Sequence, residues 1–550
     1  MGAGAVIAEK RPELGARWLG RVGYEDALVL QQRLREGVSS HLLLLEHPHV
    51  YTMGVRTDPA HLLVDPATVN ATVCWTDRGG DITYHGPGQL VGYPIIDVPV
   101  GPDSTPRYVH TLEASLIALL ASYRIEAYTL DDFPGVWVGP RDAPRKIAAI
   151  GVKLSRGRSM HGFALNVHTD LSMFSNIVPC GIADKAVTSM EAEGIHASVA
   201  EVARSYAKHF ASGFGFDQLD YQGVDDASQI AVSTSREKSE DAVASRLNQR
   251  LAKAGFSFDT AVPYVSRKPE WVRSEVNLGV EYRSLKHLVR DLNLVTVCEE
   301  AGCPNIYECW KDGTATFMIN GERCTRACGF CLVDTSKPLP LDPSEPKRVA
   351  EAVAALNLSF AVVTAVARDD LEDGGSEAFA ATIHEIRELN PSCSVEVLIP
   401  DFKGDQVSLE RVLQARPDVL NHNLETVLRL HRAVRPSANY VRSLTVLARA
   451  KEFGLTTKSG LIVGMGESIP ELKSVMRDIR SVGVDILTVG QYLRPTRDHL
   501  PVSRYYHPDE FAALREYAMS IGFRYVEASP LARSSYHARQ GSDAAAGAMA

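Results

Sequence analysis

The sequence predicts a multidomain protein, with an α+β N-terminal half followed by an α/β C-terminal half built on parallel strands. Three observations lead there. The chain has 550 residues, too many for one hydrophobic core, so two or three domains are expected. Residues 225–245 are rich in serine and acidic residues and hold no aromatic, a composition that suits a solvated linker. From Thr314 onward strand-like and helical runs alternate, the pattern of parallel strands joined by helical crossovers.

The elements follow in order. In the first half, 25–36 has helical periodicity and Leu42 to Leu45 reads as a buried strand ahead of the His47-Pro48 turn. Tyr93 to Val98 alternates as a strand, Tyr108 to Ser122 forms an amphipathic helix, and 136–138, 147–154 and 162–167 read as strands. A helix at 197–210 closes this unit, giving a first domain over 1–224, a linker over 225–245, and a possible early start of the next unit at Ser245. The second domain, 246–537, offers strands at 317–319, 360–366, 395–399, 419–421, 461–463, 486–489 and 524–526. Helices at 376–389, 441–453, 469–481 and 508–521 separate some of them. If such a domain is a barrel, its chemistry belongs at the C-terminal ends of the strands. Residues 538–550 are Ala/Gly-rich and are expected to be a disordered tail.

Composition excludes several classes. Hydrophobic content of 45% and charged content of 23% describe a globular protein, and a net charge of -9 without a basic run argues against nucleic-acid binding. No apolar run reaches the length of a membrane span. The first 26 residues carry Glu9, Glu13, Glu25 and Asp26 and lack an apolar core, so neither a signal nor a transit peptide fits. With thiolate-dependent sites, a reducing cytoplasm is the expected location.

Six of the nine cysteines fall in two triplets, Cys298, Cys303, Cys309 and Cys324, Cys328, Cys331. The second reads C-T-R-A-C-G-F-C. Thiolates this close share a metal or cluster, and three on a short loop can hold three irons of a cubane and leave the fourth open. Structural zinc prefers four ligands, usually in two separated pairs, and neither triplet closes such a set. A disulfide framework suits a short secreted domain rather than this chain. The second triplet resembles the radical S-adenosylmethionine signature. With its flanks, V-C-E-E-A-G-C-P-N-I-Y-E-C-W and F-M-I-N-G-E-R-C-T-R-A-C-G-F-C, the stretch from about 265 to 537 is similar to the lipoyl synthase family. That resemblance implies a partial (β/α) barrel with two [4Fe-4S] clusters. One, on Cys324, Cys328 and Cys331, binds S-adenosylmethionine; the other, on Cys298, Cys303 and Cys309, is an auxiliary cluster that gives up sulfur. Arg533-Ser534-Ser535-Tyr536 resembles the family segment that supplies a serine oxygen to the auxiliary cluster, with Ser535 preferred over Ser534. A weak hydroxyl ligand would let that cluster open. Post-strand segments 364–376, 421–425 and 464–467 are pocket candidates, with solvated turns the competing reading.

In the first half the run Arg78-Gly79-Gly80-Asp81-Ile82-Thr83-Tyr84-His85-Gly86-Pro87-Gly88-Gln89 is too glycine-dense to be regular throughout. Such a loop lines a pocket or is simply a turn with a packed Tyr84. Cys180 sits between Pro179 and Gly181, in a turn ahead of a helical segment where amide dipoles favour a thiolate. A nearby Lys146 would lower its pKa. A lone cysteine is otherwise a small buried hydrophobe, as Cys74 and Cys393 are taken to be. Together R-G-G-D-I-T-Y-H-G-P-G-Q, R-K-I-A-A-I-G-V-K, H-G-F-A-L-N and P-C-G-I resemble the octanoyl-carrier protein:protein octanoyltransferase family over about 15–220. The resemblance implies the biotin/lipoate-ligase α+β fold, with Cys180 carrying the acyl thioester and Lys146 activating it. It also implies Arg78 to His85, Ala149, Ile150, Gly151, Gly162, Phe163 and Ala164 as the acyl pocket. The partners implied are octanoyl-acyl-carrier protein and apo lipoyl-carrier domains, namely 2-oxoacid dehydrogenase acyltransferase subunits and the glycine cleavage H protein. An electron donor such as ferredoxin or flavodoxin is implied as well. The alternative is an ATP-dependent lipoate ligase-like domain fused to a non-radical iron–sulfur module.

Overall fold

The computed structural model describes residues 11–101, 103–131, 133–178, 186–224, 241–258, 261–264, 266–273, 295–296 and 314–547. The chain divides into two compact units, Met1–Ser228 and Gln229–Ala550.

The first unit runs β1 (Arg11–Arg21), α1 (Tyr24–Arg35), β2 (Ser40–Glu46), β3 (Val50–Met53), β4 (Thr72–Trp75), β5 (Thr83–His85), β6 (Gln89–Ile95), α2 (Ser104–Ser122), β7 (Ala127–Leu130), β8 (Phe133–Val138), β9 (Arg145–Ser155), β10 (Arg158–Asn166), β11 (Ala186–Val187), α3 (Val199–Gly213) and β12 (Phe216–Gly223). A nine-stranded mixed sheet has the order β12-β1-β2-β6-β10-β9-β8-β7, with β11 beside β9; β4-β3-β5 form a small second sheet. Leu112, Leu116 and Leu119 of α2 and Val202, Tyr206 and Phe210 of α3 bury their apolar stripes against Leu14, Leu42, Leu44, Phe163 and Leu165 of the large sheet. α3 starts on a capping box, Ser198 with Glu201. Arg156 (φ 53°) and Gly157 (φ 78°) make the two-residue turn between β9 and β10, in the left-handed conformation that hairpin twist demands. The glycine-dense run contains a regular piece after all, since Thr83–His85 pairs with β3. The strand expected at 93–98 begins earlier, at Gln89.

The second unit runs α4 (Asp241–Lys253), β13 (Val295–Thr296), β14 (Thr314–Ile319), α5 (Glu345–Ala355), β15 (Phe360–Ala365), α6 (Ser376–Leu389), β16 (Ser394–Leu398), α7 (Gln406–Gln414), β17 (Val419–Asn421), α8 (Leu428–Val434), α9 (Tyr440–Glu452), β18 (Thr456–Val463), α10 (Ile469–Ser481), β19 (Ile486–Gln491), α11 (Pro508–Ser520), β20 (Tyr525–Ser529) and α12 (Ala538–Gly547). Strands β14 to β20 are parallel and paired in chain order, with β13 antiparallel at one edge. Among the described residues no pairing joins the two edges, so this is a partial barrel. Strand residues alternate: Ala361, Val363, Val395, Val397 and Leu420 meet Val353, Phe379 and Ile383 of the outer helices. Phe360, Val362, Val419 and Ile486 point inward, with Glu396 and Lys458 ion-paired at 3.0 Å in the same interior.

Two expectations need correction. The linker expected over 225–245 is shorter at its C-terminal side, because α4 begins at Asp241. The tail expected to be disordered forms α12 over 538–547, whose Ala538 and Ala545 pack on Phe360, Val362, Val419 and Ile486. Its small residues are what let it sit inside. A Cβ on Gly541 would stand 3.2 Å from the Tyr525 ring, so the composition that looked like low complexity is a packing requirement. Among the described residues no helix is long and apolar enough to cross a membrane.

Buried histidines in both units make stability pH-dependent, His47 and His422 among them. His47 Nδ1 donates to Val22 O at 2.7 Å and Nε2 accepts from Tyr93 Oη at 2.7 Å. His422 repeats the pattern with Ile399 O at 2.8 Å and Ser443 Oγ at 2.9 Å. Burial lowers each from 6.5 to about 4. The unfolded chain therefore binds more protons between these values, and stability is full above about 6.5 and lost as pH falls towards 4. A drop from pH 7 to 5 is expected to cost about 2 kcal/mol per histidine. Denaturant midpoints at the two pH values check this, and His422→Gln should reduce the dependence of the second unit, with buried His431 supplying the remainder.

Candidate active sites

In the first unit three sequence-predicted segments come together on neighbouring strands. Gly151 pairs with Gly162, Ile150 with Phe163 and Ala149 with Ala164, while Gly79 N donates to Val152 O at 3.1 Å. The close approach requires glycine. A Cβ on Gly151 would lie 3.0 Å from Gly79 O, and one on Gly162 would lie 2.1 Å from Gly92 O. Arg78 is buried and ties the loop down, donating to Thr52 O at 2.6 Å, Thr52 Oγ1 at 2.9 Å and Gly79 O at 3.1 Å. His85 Nδ1 donates to Gln89 Oε1 at 2.8 Å, and burial holds its pKa well below the usual histidine range. Asp81 meets His61 at 2.6 Å.

Not every predicted side chain faces that surface. Phe163 packs on Tyr206 with ring centroids 4.5 Å apart, and Ile150 lies against the same helical core. The period-2 alternation that turns Ala149, Gly151, Gly162 and Ala164 one way turns these two the other. Ile82 and Tyr84 are buried in a second apolar cluster with Tyr51, Met53 and Phe174. Lys146 lies on β9, its Nζ 3.3 Å from Pro134 O and 4.6 Å from the Trp137 ring centroid. β11 pairs Val187 with Lys146, so the chain shortly after Cys180 runs beside this lysine. Cys180 itself lies outside the described residues. The residues missed by sequence reasoning are Asp77 and His161, bonded at 2.8 Å; His161 precedes Gly162 with φ 57°, a conformation no sequence pattern announces.

In the second unit the Cys324, Cys328, Cys331 loop follows β14 at the C-terminal mouth of the barrel, all three thiols free and part-exposed. Cys324 Sγ accepts from Arg326 N at 3.4 Å and Ala367 N at 3.3 Å. Arg326 is buried and forks onto Asp369 (2.8 Å to each oxygen), and it reaches Asp401 at 2.6 Å. Gly329 N donates to Val434 O at 2.9 Å, Leu500 N to Gly329 O at 3.0 Å, and His499 Nε2 to Cys331 O at 2.9 Å. The loop is thus pinned from four sides. Arg326, Asp401 and His499 were not singled out in the sequence, where Arg326 reads only as spacer within the motif.

Burial pushes the Cys331 thiol up to about 12 and raises Cys328 as well. Neither would ionise alone at neutral pH, and a bound metal group is what deprotonates such thiols. Among the described residues no group of three or more His, Cys, Asp or Glu is placed to hold a single metal ion. Three free thiols on one loop are the donor type and number that a cubane takes while one iron stays open, so the donor set fits that group. Cys298, Cys303 and Cys309 lie outside the described residues. Ser534 and Ser535 are half-buried in the turn before α12, and Ser534 Oγ accepts from Asn423 Nδ2 at 2.6 Å. Post-strand Glu467 is buried and accepts from Gly464 N at 2.6 Å and Met465 N at 2.9 Å, making that glycine segment an ordered turn.

Comparisons with known proteins agree with this division. The lipoyl protein ligase A/B catalytic domain family matches residues 22–211. The N-terminal domain of lipoyl synthase matches 232–303, and the radical S-adenosylmethionine superfamily matches 318–479. Lipoyl synthase of Koribacter versatilis (strain Ellin345) is 57% identical over 275 residues, 50% of this chain and 90% of that protein. Lipoyl synthase of Mycolicibacterium smegmatis is 54% identical over 274 residues, 50% of this chain and 87% of that protein. A solved bi-partite lipoate protein ligase from Thermoplasma acidophilum shares 17% identity, covering 39% of this chain and 88% of that one at a TM-score of 0.34, a likeness too slight to carry function. With nine-tenths of a 57% identical relative covered, the chain belongs to the lipoyl synthase family of radical S-adenosylmethionine proteins and carries a lipoyl protein ligase A/B catalytic domain ahead of it.

Proposed function

We propose that the chain performs two consecutive steps of lipoyl assembly in the cytoplasm, octanoyl transfer by the first domain (1–224) and sulfur insertion by the second (246–537). In the first, Cys180 takes the octanoyl group from octanoyl-acyl-carrier protein as a thioester and passes it to a lysine of an apo lipoyl-carrier domain, which divides one hard displacement into two easier ones. Lys146 takes the thiol proton. The observation that supports this reading is the register that brings Ala149, Gly151, Gly162 and Ala164 together beneath the Arg78 loop, with Lys146 further along the same strand. The glycines let an acyl chain lie against backbone, and buried Arg78 holds the loop in place.

In the second, Cys324, Cys328 and Cys331 would hold one [4Fe-4S] cluster, and Cys298, Cys303 and Cys309 with Ser535 the auxiliary one. When bound and reduced by an external electron donor, the first would supply reductive cleavage of S-adenosylmethionine to a carbon radical able to take hydrogen from unactivated C–H bonds that no side-chain acid or base can reach, and the auxiliary cluster would supply sulfur. The chain's own part is positional: Arg326, Ala367 and His499 hold the cysteine loop at the barrel mouth, and Ser535 offers a replaceable oxygen.

The test is the intact mass of an apo lipoyl-carrier domain after anaerobic reaction with reconstituted protein, octanoyl-acyl-carrier protein, S-adenosylmethionine and a reductant, without ATP. A lipoyl increment is expected, falling to octanoyl alone in Cys331→Ala and to none in Cys180→Ala. Transfer that requires ATP and survives Cys180→Ala would instead identify a ligase, and no increment in the parent protein would overturn both assignments.

A further inference from the structure

The last described stretch of the second unit turns back into the barrel. Gln491 N donates to Pro530 O at 3.2 Å, and Ala532 O stands 2.1 Å from where a Cβ on Gly490 would be, so this backbone lies directly on β19. Asn423, just past β17, donates from Nδ2 to Ser534 Oγ at 2.6 Å. His537 Nδ1 meets Glu527 Oε2 at 2.9 Å, and α12 then fills the interior near the first residues of β15, β17 and β19. Residues 530–547 therefore run from the C-terminal mouth, where the cysteine loop lies, to the opposite end.

Asn423 holds an expensive position in that path. It is 7% exposed, and its Oδ1 is buried without a hydrogen-bond partner. The amide is pressed on β18, where a Cβ at Gly460 would come 2.6 Å from that oxygen. A buried carbonyl left unpaired costs about 1–3 kcal/mol, so stability alone does not account for an asparagine here. The Asn423 side chain also meets the Glu425 carboxyl, and its short bond, at 2.6 Å, goes to the serine next to Ser535.

We infer that Asn423 is a positioning residue for the serine pair: with α12 as anchor, it grips Ser534 and so fixes the turn that presents Ser535. This rests on the reading of Ser535 as the auxiliary-cluster oxygen. Division of labour between the two hydroxyls follows, one held by the barrel and the other free to be taken up and released, and the hold survives each release because it does not pass through the ligating oxygen.

The experiment is hydrogen–deuterium exchange on the full chain, with Asn423→Ala and Ser534→Ala compared with the parent. Loss of one hydrogen bond should speed exchange of the Tyr536 amide, which donates to Arg533 O, by about tenfold, while α12 amides stay protected. Ser534→Ala should reproduce the effect. If Asn423→Ala loosens the unit as a whole, Ser534→Ala still decides, since packing of the asparagine on Gly460 is untouched in it. In the reconstituted protein both variants should raise the 5′-deoxyadenosine formed per lipoyl group. Unchanged exchange at Tyr536 in Ser534→Ala would overturn the inference whatever the activities. Normal 5′-deoxyadenosine formation with no sulfur insertion in the parent would overturn the functional reading while leaving the exchange result to judge Asn423.

Discussion

Arg326→Met should destabilise the second unit by about 3–5 kcal/mol, the cost of stripping one partner from a buried ion pair. Its guanidinium is 5% exposed and faces Asp369, 21% exposed, and Asp401, fully buried. Methionine keeps most of the volume and none of the charge, leaving Asp401 with Arg442 at 3.5 Å as its remaining cation. The damage is expected at the cysteine loop first, because Arg326 belongs to that loop whereas its partners follow β15 and β16. Iron retained per chain after reconstitution should fall alongside the denaturant midpoint. Arg326→Met with Asp401→Asn should recover part of the loss, since it removes the orphaned charge too. A midpoint shift worth less than about 1 kcal/mol would show that the pair is not needed to hold the loop.

Gly162→Val is expected to be as damaging in the first unit. The new Cβ would meet Gly92 O at 2.1 Å and Pro94 Cδ at 2.7 Å, and backbone cannot swing aside as a side-chain tip can. β10 would have to leave β6 where Phe163 pairs with Gly92, at a cost of about 3 kcal/mol by the usual penalty for overpacking. Octanoyl transfer should be lost while S-adenosylmethionine cleavage persists, measured on the same preparation. Retained transfer would mean that the strand can shift without disturbing the surface beneath the Arg78 loop.

The periodic elements were legible in the sequence because their apolar residues carry the period. The run 419–421 is β17 to the residue, and 376–389 is α6. β18 was read only from Leu461, since its earlier part carries Lys458 and Ser459, buried polar residues that the strand tolerates because Lys458 pairs with Glu396 in the barrel interior and Ser459 donates to His422 O. β1 and β12 escaped notice because each is half-exposed or broken by glycine and gains its identity from parallel pairing across the unit. The cysteine loop was evident from spacing alone; Arg326 and Asp401 were not, since an ion pair between residues 75 apart leaves no local mark. Ile150 and Phe163 belong to a motif, yet motif membership does not say which face of a strand a side chain takes.

The helix that closes the barrel floor also fixes the order in which the protein becomes whole. Arg539 donates to Ser359 across 180 residues of chain, and Phe360 finds its neighbour Ala545 only after every strand between them is in place. Contacts so distant form slowly. During synthesis every described strand of the N-terminal unit is present once Gly223 emerges, and units of this kind fold as they appear. The barrel must wait for α12, which follows its last strand. A nascent chain therefore completes the proposed acyl-transfer unit before the sulfur-inserting one, in the sequence in which their reactions occur.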